Sequence, residues 1–393
     1  MPGPLKGLKI LDFTTLLPGP YATMMLADMG AEVLRILSGS RPDLAALMPP
    51  FLPGTDLSCT LAYLGRNKRC MTLNLKKAEA IEIVHRLIAR YDILIEQFRP
   101  GVMAKLGLGY EVLKAVNHSL IYCSLTGYGQ TGPMRNRAGH DINYLSRSGL
   151  MAYSGKKESG PVLTGMQIAD VASGANNSII GILAAVIHRN KTGEGQYIDI
   201  SMTDGVMAFN AMTGAGTLAG NPEPARETEF LNGGSLYDFY ETKDGGYISF
   251  GGLEPQFFAA FCQTIGREDL IPYGVIPPDL EKVKKDIQKI FQQKTRDQWT
   301  EIFSQVDACV EPVLSFSEAI RDRQTKDREM IVEFNCPGGG KLRQIACPIK
   351  FSSTQQEYRS LGCKAGTDTK EVMEETGYTI EEIRKFAEVG VFS

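Results

Sequence analysis

The 393-residue sequence has few of the residues on which most metal and disulfide sites depend. It has one tryptophan and four histidines, and its eight cysteines are scattered with no CxxC pair and no His/Cys cluster. This spacing predicts free thiols in a reducing compartment and no structural zinc site. A basic excess is also missing, since the net charge is −3. The charge balance therefore argues against binding to nucleic acid or to an anionic membrane surface.

Long apolar runs are missing as well. No window approaches about 18 consecutive apolar residues, the length that a membrane-spanning helix needs. The first residues, MPGPLKGLKILDF, lack the basic segment and long apolar run of a signal peptide. We therefore expect no membrane segment and a cytoplasmic location.

Strands and helices alternate through the first half of the chain. Residues 8–13 and 31–37 read as strands on either side of an apolar helix at 21–29, and further strands are predicted at 70–75, 93–96 and 120–125. This alternation predicts an α/β fold with a parallel, doubly wound sheet. The turn after the first strand lacks the GxGxxG spacing, so a dinucleotide site of the usual kind is not supported.

Composition divides the chain into four parts. Residues 1–215 are expected to form a large domain, and 216–228, rich in Gly, Pro, Asn and Glu, a linker. Residues 229–330 are expected to form a smaller α/β domain, in which Asp244-Gly245 between alternating apolar runs predicts a hairpin. Residues 331–393 are expected to return to the large domain.

His140 and Asp170 are the main candidates for chemistry. His140 follows a glycine-rich turn segment and stands among polar and aromatic residues, but a lone histidine is more often structural. Asp170 precedes an apolar helix and could simply cap it. The two residues could be a pair of proton-transfer groups, or the aspartate could act alone as a nucleophile. A serine hydrolase is weakly supported, because no GxSxG elbow follows a strand.

Several basic residues fall near predicted strand ends. On a sheet of this type such positions could share one rim and bind phosphates, but each could equally lie on a solvated surface. The residues are Arg35, Arg66, Lys68, Arg69, Lys76 and Arg99.

Seven sequence blocks resemble the CaiB/BaiF family, also called family III CoA transferases, and within it the 2-methylacyl-CoA racemases. The resemblance covers nearly the whole chain. The blocks are Leu17-Pro18-Gly19-Pro20 with Ala27-Asp28-Met29-Gly30-Ala31, Gly65-Arg66-Asn67-Lys68-Arg69, Phe98-Arg99-Pro100-Gly101-Val102-Met103, Gly127-Tyr128-Gly129-Gln130-Thr131-Gly132, Gly139-His140-Asp141-Ile142-Asn143-Tyr144, Leu253-Glu254-Pro255-Gln256-Phe257 and Asp307-Ala308-Cys309-Val310-Glu311-Pro312-Val313. The fifth and sixth blocks are the ones that resemble racemases in particular.

The resemblance implies an enzyme of acyl-CoA and lipid metabolism with an opposed acid and base. His140 and Asp170 would lie on opposite faces of the thioester α-carbon, and Glu254 would pair with His140 and set its tautomer. No metal is implied, and no cofactor beyond the CoA of the substrate. The implied CoA contacts are Leu73, Asn74, Leu75, Lys76, Arg99, Gly139, Asp141, Ile142, Asn143 and Tyr144.

The resemblance also implies an architecture. It is an interlocked homodimer of a Rossmann-like large domain and a small α/β domain, with each site formed by the large domain of one chain and the small domain of the other. Glu254 would then come from the partner chain.

The resemblance leaves a transferase as the alternative. In it Asp170 would attack an acyl-CoA and pass through a mixed anhydride and an aspartyl-CoA thioester. Transferases of the family usually lack a histidine at position 140 and tend to carry glutamine where this chain has Leu145, which favours the racemase. A CoA-binding protein without catalysis is a third hypothesis.

Two positions depart from the racemase pattern. Arg147 replaces a usually apolar residue, so it either contacts a polar acyl group or lies on the surface. Around Ser38 an arginine of the racemases is missing, and Arg41 could supply that CoA contact.

Overall fold

The structure is a computed structural model that describes residues 2–336 and 339–393. The chain divides into two compact units. The first unit comprises the residues up to Ser148, Thr164–Phe209 and Lys326–Ser393, and the second comprises Gly149–Leu163 and Asn210–Thr325.

A six-stranded parallel sheet is the centre of the first unit. Its order is β3-β2-β1-β4-β5-β6. The strands are apolar and mostly buried on both faces, as parallel strands covered by helices usually are. Their bounds are β1 Lys9–Phe13, β2 Glu32–Leu37, β3 Lys68–Thr72, β4 Ile93–Glu96, β5 Ile121–Thr126 and β6 Tyr197–Ser201. The predicted α/β fold with a Rossmann-like sheet is confirmed.

Helices cover both faces of this sheet, with one core cluster on each. The helices of the whole chain are α1 Pro18–Asp28, α2 Leu44–Leu47, α3 Cys59–Leu64, α4 Ala78–Ile88, α5 Val102–Lys105, α6 Tyr110–Val116, α7 Asp141–Arg147, α8 Leu150–Tyr153, α9 Asn176–Thr192, α10 Met202–Ala208, α11 Thr213–Leu218, α12 Pro255–Ile265, α13 Leu280–Phe291, α14 Arg296–Phe303, α15 Phe316–Ala319, α16 Arg323–Asp327, α17 Thr369–Glu375 and α18 Ile380–Glu388. A π-helical turn, Ala169–Ala175, leads into α9, and a 3₁₀ turn spans Glu268–Tyr273.

The π-turn and α9 together form a helix, Ala169–Thr192, of 24 residues. Its 18-residue window of mean hydropathy 1.4 meets the length and composition of a membrane span, contrary to our expectation that no such segment exists. Polar residues such as Ser178 interrupt the apolar run and conceal the segment when only consecutive apolar residues are counted. Ile179, Ile182 and Ala185 are buried in the core beneath the sheet, as in the layer helices of α/β proteins.

The second unit is built on a three-stranded antiparallel sheet, β7-β8-β9, with bounds Asp238–Glu241, Tyr247–Phe250 and Val310–Pro312. The Asp244-Gly245 turn joins β7 to β8, as the sequence predicts. Stacked rings fill the core, with Phe250 and Phe261 centroids 3.9 Å apart. The remaining two strands, β10 Ile331–Asn335 and β11 Lys341–Ile345, pair in the first unit.

The limits of the units differ from those expected for the domains. The first unit leaves off at 209 rather than 215 and resumes at 326 rather than 331, and residues 149–163 join the second unit. Distant hydrogen bonds hold that segment there: the Tyr153 hydroxyl donates to Asn210 Oδ1 (2.7 Å), and Asn232 Nδ2 donates to the Tyr153 carbonyl (2.8 Å). The expected linker, 216–228, includes the end of α11 and lies inside the second unit. Composition does not reveal contacts at such sequence separations.

Candidate active site

A cavity of about 320 Å³ opens at the carboxyl edge of the large sheet. Residues that follow β4 (Gln97, Phe98 and Arg99) and β5 (Gly127 and Tyr128) line it, together with the segments that begin α1 and α7. The strand order reverses between β1 and β4, and ligands of open α/β sheets bind beside such a reversal at the carboxyl ends of the strands. The cavity therefore lies where the fold itself favours a ligand site.

Two glycines and a tyrosine shape the loop that presents His140. The Tyr144 hydroxyl donates to the Gly139 carbonyl at 2.5 Å, and its ring meets that of Tyr128 edge-on at 5.2 Å. A Cβ on Gly127 would lie 2.2 Å from the Tyr144 ring, so this close approach requires glycine.

His140 is the N-cap residue of α7. Its backbone N–H donates to Asn143 Oδ1 at 3.0 Å, which fixes the start of the helix, and its exposed side chain lines the cavity. The first turn of α7 thus has backbone N–H groups without intrahelical partners close to the imidazole.

Asp170 lies in the π-helical turn, half-buried, and lines the same cavity. Its backbone N–H donates to Asp141 Oδ1 at 3.0 Å. Burial, reinforced by the neighbouring Asp141 carboxylate and opposed by His140, raises the pKa of Asp170 to about 6. A carboxyl group with this pKa can both donate and accept a proton near neutrality. π-Helical turns are frequent at functional sites, but sequence periodicity gave no signal for this one.

Glu254 is exposed and is the N-cap residue of α12 in the second unit. The structure therefore brings His140 and Asp170 to one cavity, while the predicted pairing of Glu254 with His140 stays a prediction.

The expected CoA contacts fall into two groups. Arg99, Gly139 and Tyr144 line the cavity, and Asp141, Ile142 and Asn143 form the first turn of α7 beside it. Leu73, Asn74, Leu75 and Lys76 instead follow β3, the strand at the far edge of the sheet. Leu73 is buried, and the Asn74 backbone N–H donates to the Val391 carbonyl at 2.7 Å. Lys76 remains exposed.

Three of the basic residues assigned to a rim are instead buried in ion pairs. Arg66 Nε lies 2.9 Å from Asp28 Oδ1, Arg35 Nη2 3.0 Å from Asp43 Oδ2, and Lys68 Nζ 3.5 Å from Asp12 Oδ2. These three residues therefore lie neither on a phosphate-binding rim nor on a solvated surface. Their partners are strand and loop residues that the sequence alone does not place beside them.

Arg147 and Arg41, the residues at the two departures, are exposed in the first unit. The Arg41 backbone N–H donates to Ser38 Oγ at 3.2 Å. Neither arginine lines the cavity.

Sequence reasoning overlooked three polar residues of the cavity. Arg135 and Arg137 line it together with Arg99, and within residues 2–336 and 339–393 none of these three exposed arginines forms an ion pair. The Thr126 hydroxyl is buried and has no hydrogen-bond partner among the described atoms. The Arg-Asn-Arg sequence directly before Ala138-Gly139-His140 was a visible signal for the arginines, but nothing local marked Thr126.

Comparison with known proteins identifies the class. The family model for CoA-transferase family III matches residues 5–369, so the chain belongs to this family, whose members are enzymes. This confirms the resemblance drawn from the sequence blocks.

Relatives in the family include two kinds of enzyme. The chain is 34% identical to alpha-methylacyl-CoA racemase from Homo sapiens over 382 residues, which are 96% of this chain and 95% of that protein. It is 31% identical to succinyl-CoA:glutarate CoA-transferase from Mus musculus over 379 residues, 95% and 86% of the two chains. A CAIB/BAIF family protein from Brucella suis has a TM-score of 0.84 at 27% identity, over 96% of this chain and 100% of that one.

Proposed function

We propose that this protein is a 2-methylacyl-CoA racemase. The observation that carries the proposal is the presence of two proton-transfer groups, His140 and Asp170, on one cavity, with the pKa of Asp170 raised to about 6. The 34% identity to a racemase over nearly the whole chain supports the same activity.

The proposed reaction moves one proton off the α-carbon and another proton onto it. One of the two groups removes the α-proton from its face of the thioester, and the electron pair of the C–H bond passes to the carbonyl oxygen as an enolate. The other group then delivers a proton to the opposite face, which inverts the centre. The reaction needs no metal or redox cofactor, only the CoA of the substrate.

The enolate requires stabilisation because an α-proton beside a thioester is too weakly acidic for histidine alone. Backbone N–H groups at the start of α7 adjoin His140 and could donate to the enolate oxygen. Hydrogen bonds to developing negative charge in a site that excludes water are usually a large part of such catalysis.

CoA binding is proposed at the residues that the family resemblance implies, extended by the cavity arginines. Arg99, Arg135 and Arg137 carry three positive charges without ion-pair partners among the described residues. Guanidinium groups bind phosphate oxygens in bidentate fashion, which suits the diphosphate of CoA.

We further propose a cytoplasmic homodimer that binds neither nucleic acid nor membrane, in which Glu254 of one chain orients His140 of the other. Ile180, Ile187 and Met207 of the first unit are about 60% exposed, at 63%, 58% and 61%. A second copy of the chain covering the outer face of α9 and the neighbouring Met207 of α10 would account for this apolar surface.

Deuterium exchange tests the proposal. Incubation of one epimer of a 2-methylacyl-CoA in deuterated water should place deuterium at the α-carbon and produce the other epimer. His140→Ala and Asp170→Asn should each abolish production of the other epimer, while His118→Ala, at an exposed histidine that does not line the cavity, should preserve both outcomes. If no deuterium appears at the α-carbon across a panel of acyl chains, the racemase proposal is wrong.

Transfer of CoA between carboxylic acids is the second candidate, favoured by the 31% identity to a transferase and by the accessible Asp170 carboxylate. In that reaction Asp170 attacks the thioester and releases CoA thiolate, which attacks the aspartyl carbonyl of the mixed anhydride and expels the donor carboxylate to leave an aspartyl-CoA thioester. The acceptor carboxylate then attacks this thioester, and the released CoA thiolate attacks the acceptor carbonyl of the new anhydride, which yields the acceptor thioester and frees Asp170. Hydroxylamine would trap these intermediates, and His140→Ala would spare transfer. Binding of CoA with neither activity would instead support a binding protein.

A further inference from the structure

We propose that Cys70 and Cys363 form an oxidisable thiol pair, which peroxide converts to a disulfide that fastens the C-terminal segment to the edge of the large sheet. The site lies outside the cavity, and the proposal does not depend on the proposed function.

The pair lies where the C-terminal segment covers β3, the edge strand. The Asp368 backbone N–H donates to the Cys70 carbonyl at 2.9 Å, and the Cys70 N–H donates to Asp368 Oδ2 at 2.7 Å. Cys363 Sγ lies 3.6 Å from the same carboxylate oxygen. Cys70 and the Cys363 thiol therefore meet at one carboxylate oxygen, although 292 residues separate them in the sequence.

A buried guanidinium beside Cys70 lacks partners for two of its nitrogens. Arg35 is paired in register with Cys70 on the adjacent strand, and its side chain is completely buried. Its Nε and Nη1 have no hydrogen-bond partner among the described atoms. A buried charged donor without a partner is costly, so an anionic sulfur at Cys70 would supply what Arg35 lacks.

The electrostatics agree with this geometry. The neighbouring Cys363 thiol, followed by the positive charges of Arg35 and Lys68, lowers the pKa of the Cys70 thiol against the opposing effects of burial and of Asp368. The Cys70 thiol and burial both raise the pKa of Cys363. Elsewhere in the chain burial raises the pKa of Cys123 and of Cys262 to about 12, so those thiols are poor nucleophiles.

The chemistry balances with hydrogen peroxide as the oxidant. The Cys70 thiolate attacks one peroxide oxygen, the O–O bond breaks, and the departing hydroxide takes a proton to become water. The Cys363 sulfur then attacks the sulfenic sulfur of Cys70, and the hydroxyl group leaves as a second water with the thiol proton. Two thiols are oxidised by two electrons, which reduce one peroxide to two waters.

Peptide mapping tests the pair in the whole chain. The reduced protein is treated with a few equivalents of peroxide, alkylated in denaturant without reductant, digested and analysed by mass spectrometry. We expect a cross-linked peptide that contains residues 70 and 363 and the loss of two of the eight free thiols, both reversed by dithiothreitol. If both thiols stay open to alkylation, or if Cys70 accumulates as sulfinic acid beside a free Cys363, the proposal is wrong.

Matched variants separate this pair from general oxidation. Cys309→Ser, at an exposed cysteine, should still form the cross-link, whereas Cys363→Ser should retain the Cys70 thiol or yield a sulfenic acid that dimedone traps. The oxidised wild-type chain should also unfold at a higher urea concentration than the reduced chain, and this difference should vanish in Cys363→Ser. An equal loss of two thiols in both variants would contradict the pairing.

Discussion

Asp170 is the residue at which the stability of the fold opposes the proposed chemistry. Its pKa is about 6 in the folded chain against an ordinary value of 3.8, so the folded state favours the protonated form. Its contribution to stability is therefore greatest at low pH and is lost as the pH rises from about 4 to 6. Above this range the charged carboxylate remains partly buried at a cost.

Asp170→Asn should therefore stabilise the protein in a pH-dependent way. We expect little change at pH 4 and a gain of about 1–2 kcal/mol in the free energy of unfolding at pH 8, after allowing for the partial exposure of the group to solvent. Urea unfolding at pH 4 and at pH 8 measures this change in the free energy of unfolding. Asp204→Asn, at an exposed position, is the control. An equal change at both pH values would show that Asp170 titrates normally.

Thr126 is a second residue at which folding and function diverge. Its buried hydroxyl has no partner among the described atoms, so removing it should not weaken the fold, and the residue lines the cavity. Thr126→Val should unfold at the same or a slightly higher urea concentration, whereas kcat/KM for α-proton exchange should fall about tenfold through loss of one hydrogen bond to the substrate. Thr126→Ser, which keeps the hydroxyl, should retain both properties. A clearly destabilised valine variant would show that the hydroxyl has a structural partner.

The sequence predicted the role of a single residue only where the residues that it contacts lie close to it in the sequence. His140 was identifiable because its glycines and tyrosine lie within a few residues of it. Arg66 and Asp28 are 38 positions apart and bind each other inside the core, so neither alternative for this arginine, a phosphate-binding rim or a solvated surface, was correct. The raised pKa of Asp170 depends on burial and on Asp141 across a gap of 29 residues, which no local pattern encodes.

At the scale of elements, the start of α7 depends on the close approach of Gly127 to Tyr144. Gly127→Ala would put its Cβ 2.2 Å from the tyrosine ring, so the ring and the His140 loop must move. We expect a loss of about 2–4 kcal/mol in unfolding free energy and a large loss of proton exchange. The matched control is Gly165→Ala, whose Cβ would meet no atom within 4 Å. Equal stabilities of the two variants would contradict this account.

Sequence periodicity predicted the elements but not their irregularities. Alternating strands and helices specified the parallel sheet, and the Asp-Gly turn specified the β7–β8 hairpin, because both signals are local. The π-helical turn at Asp170 was missed because its sequence, ADVASGA, reads as ordinary apolar helix. Segment 149–163 was misplaced because its hydrogen bonds reach residues about 60 to 80 positions away.

At the scale of the whole molecule, the outer face of α9 predicts self-association. Ile180 and Ile187 are seven residues apart, which places them on one helix face, and both are exposed. Light scattering should give twice the 43.1 kDa chain mass for the wild type. Ile180→Glu should shift the protein to the monomer and abolish exchange, because a charge in a buried apolar interface has no partner. Val112→Glu, on exposed α6, should change neither result. A monomeric wild type would contradict the homodimer.

The proposed sharing of a site between two chains is tested by mixing two inactive variants. His140→Ala and Glu254→Ala should each lack epimerisation activity alone. In a mixed dimer one site would carry both defects, and the other would combine an intact His140 with an intact Glu254 from the partner subunit. Because about half of the dimers formed by random association are mixed and each has one intact site, co-refolding equal amounts should restore about a quarter of wild-type activity. If Glu254 instead acted within its own chain, every site would carry one defect and the mixture would remain inactive. Full activity of Glu254→Ala on its own would remove this residue from the mechanism.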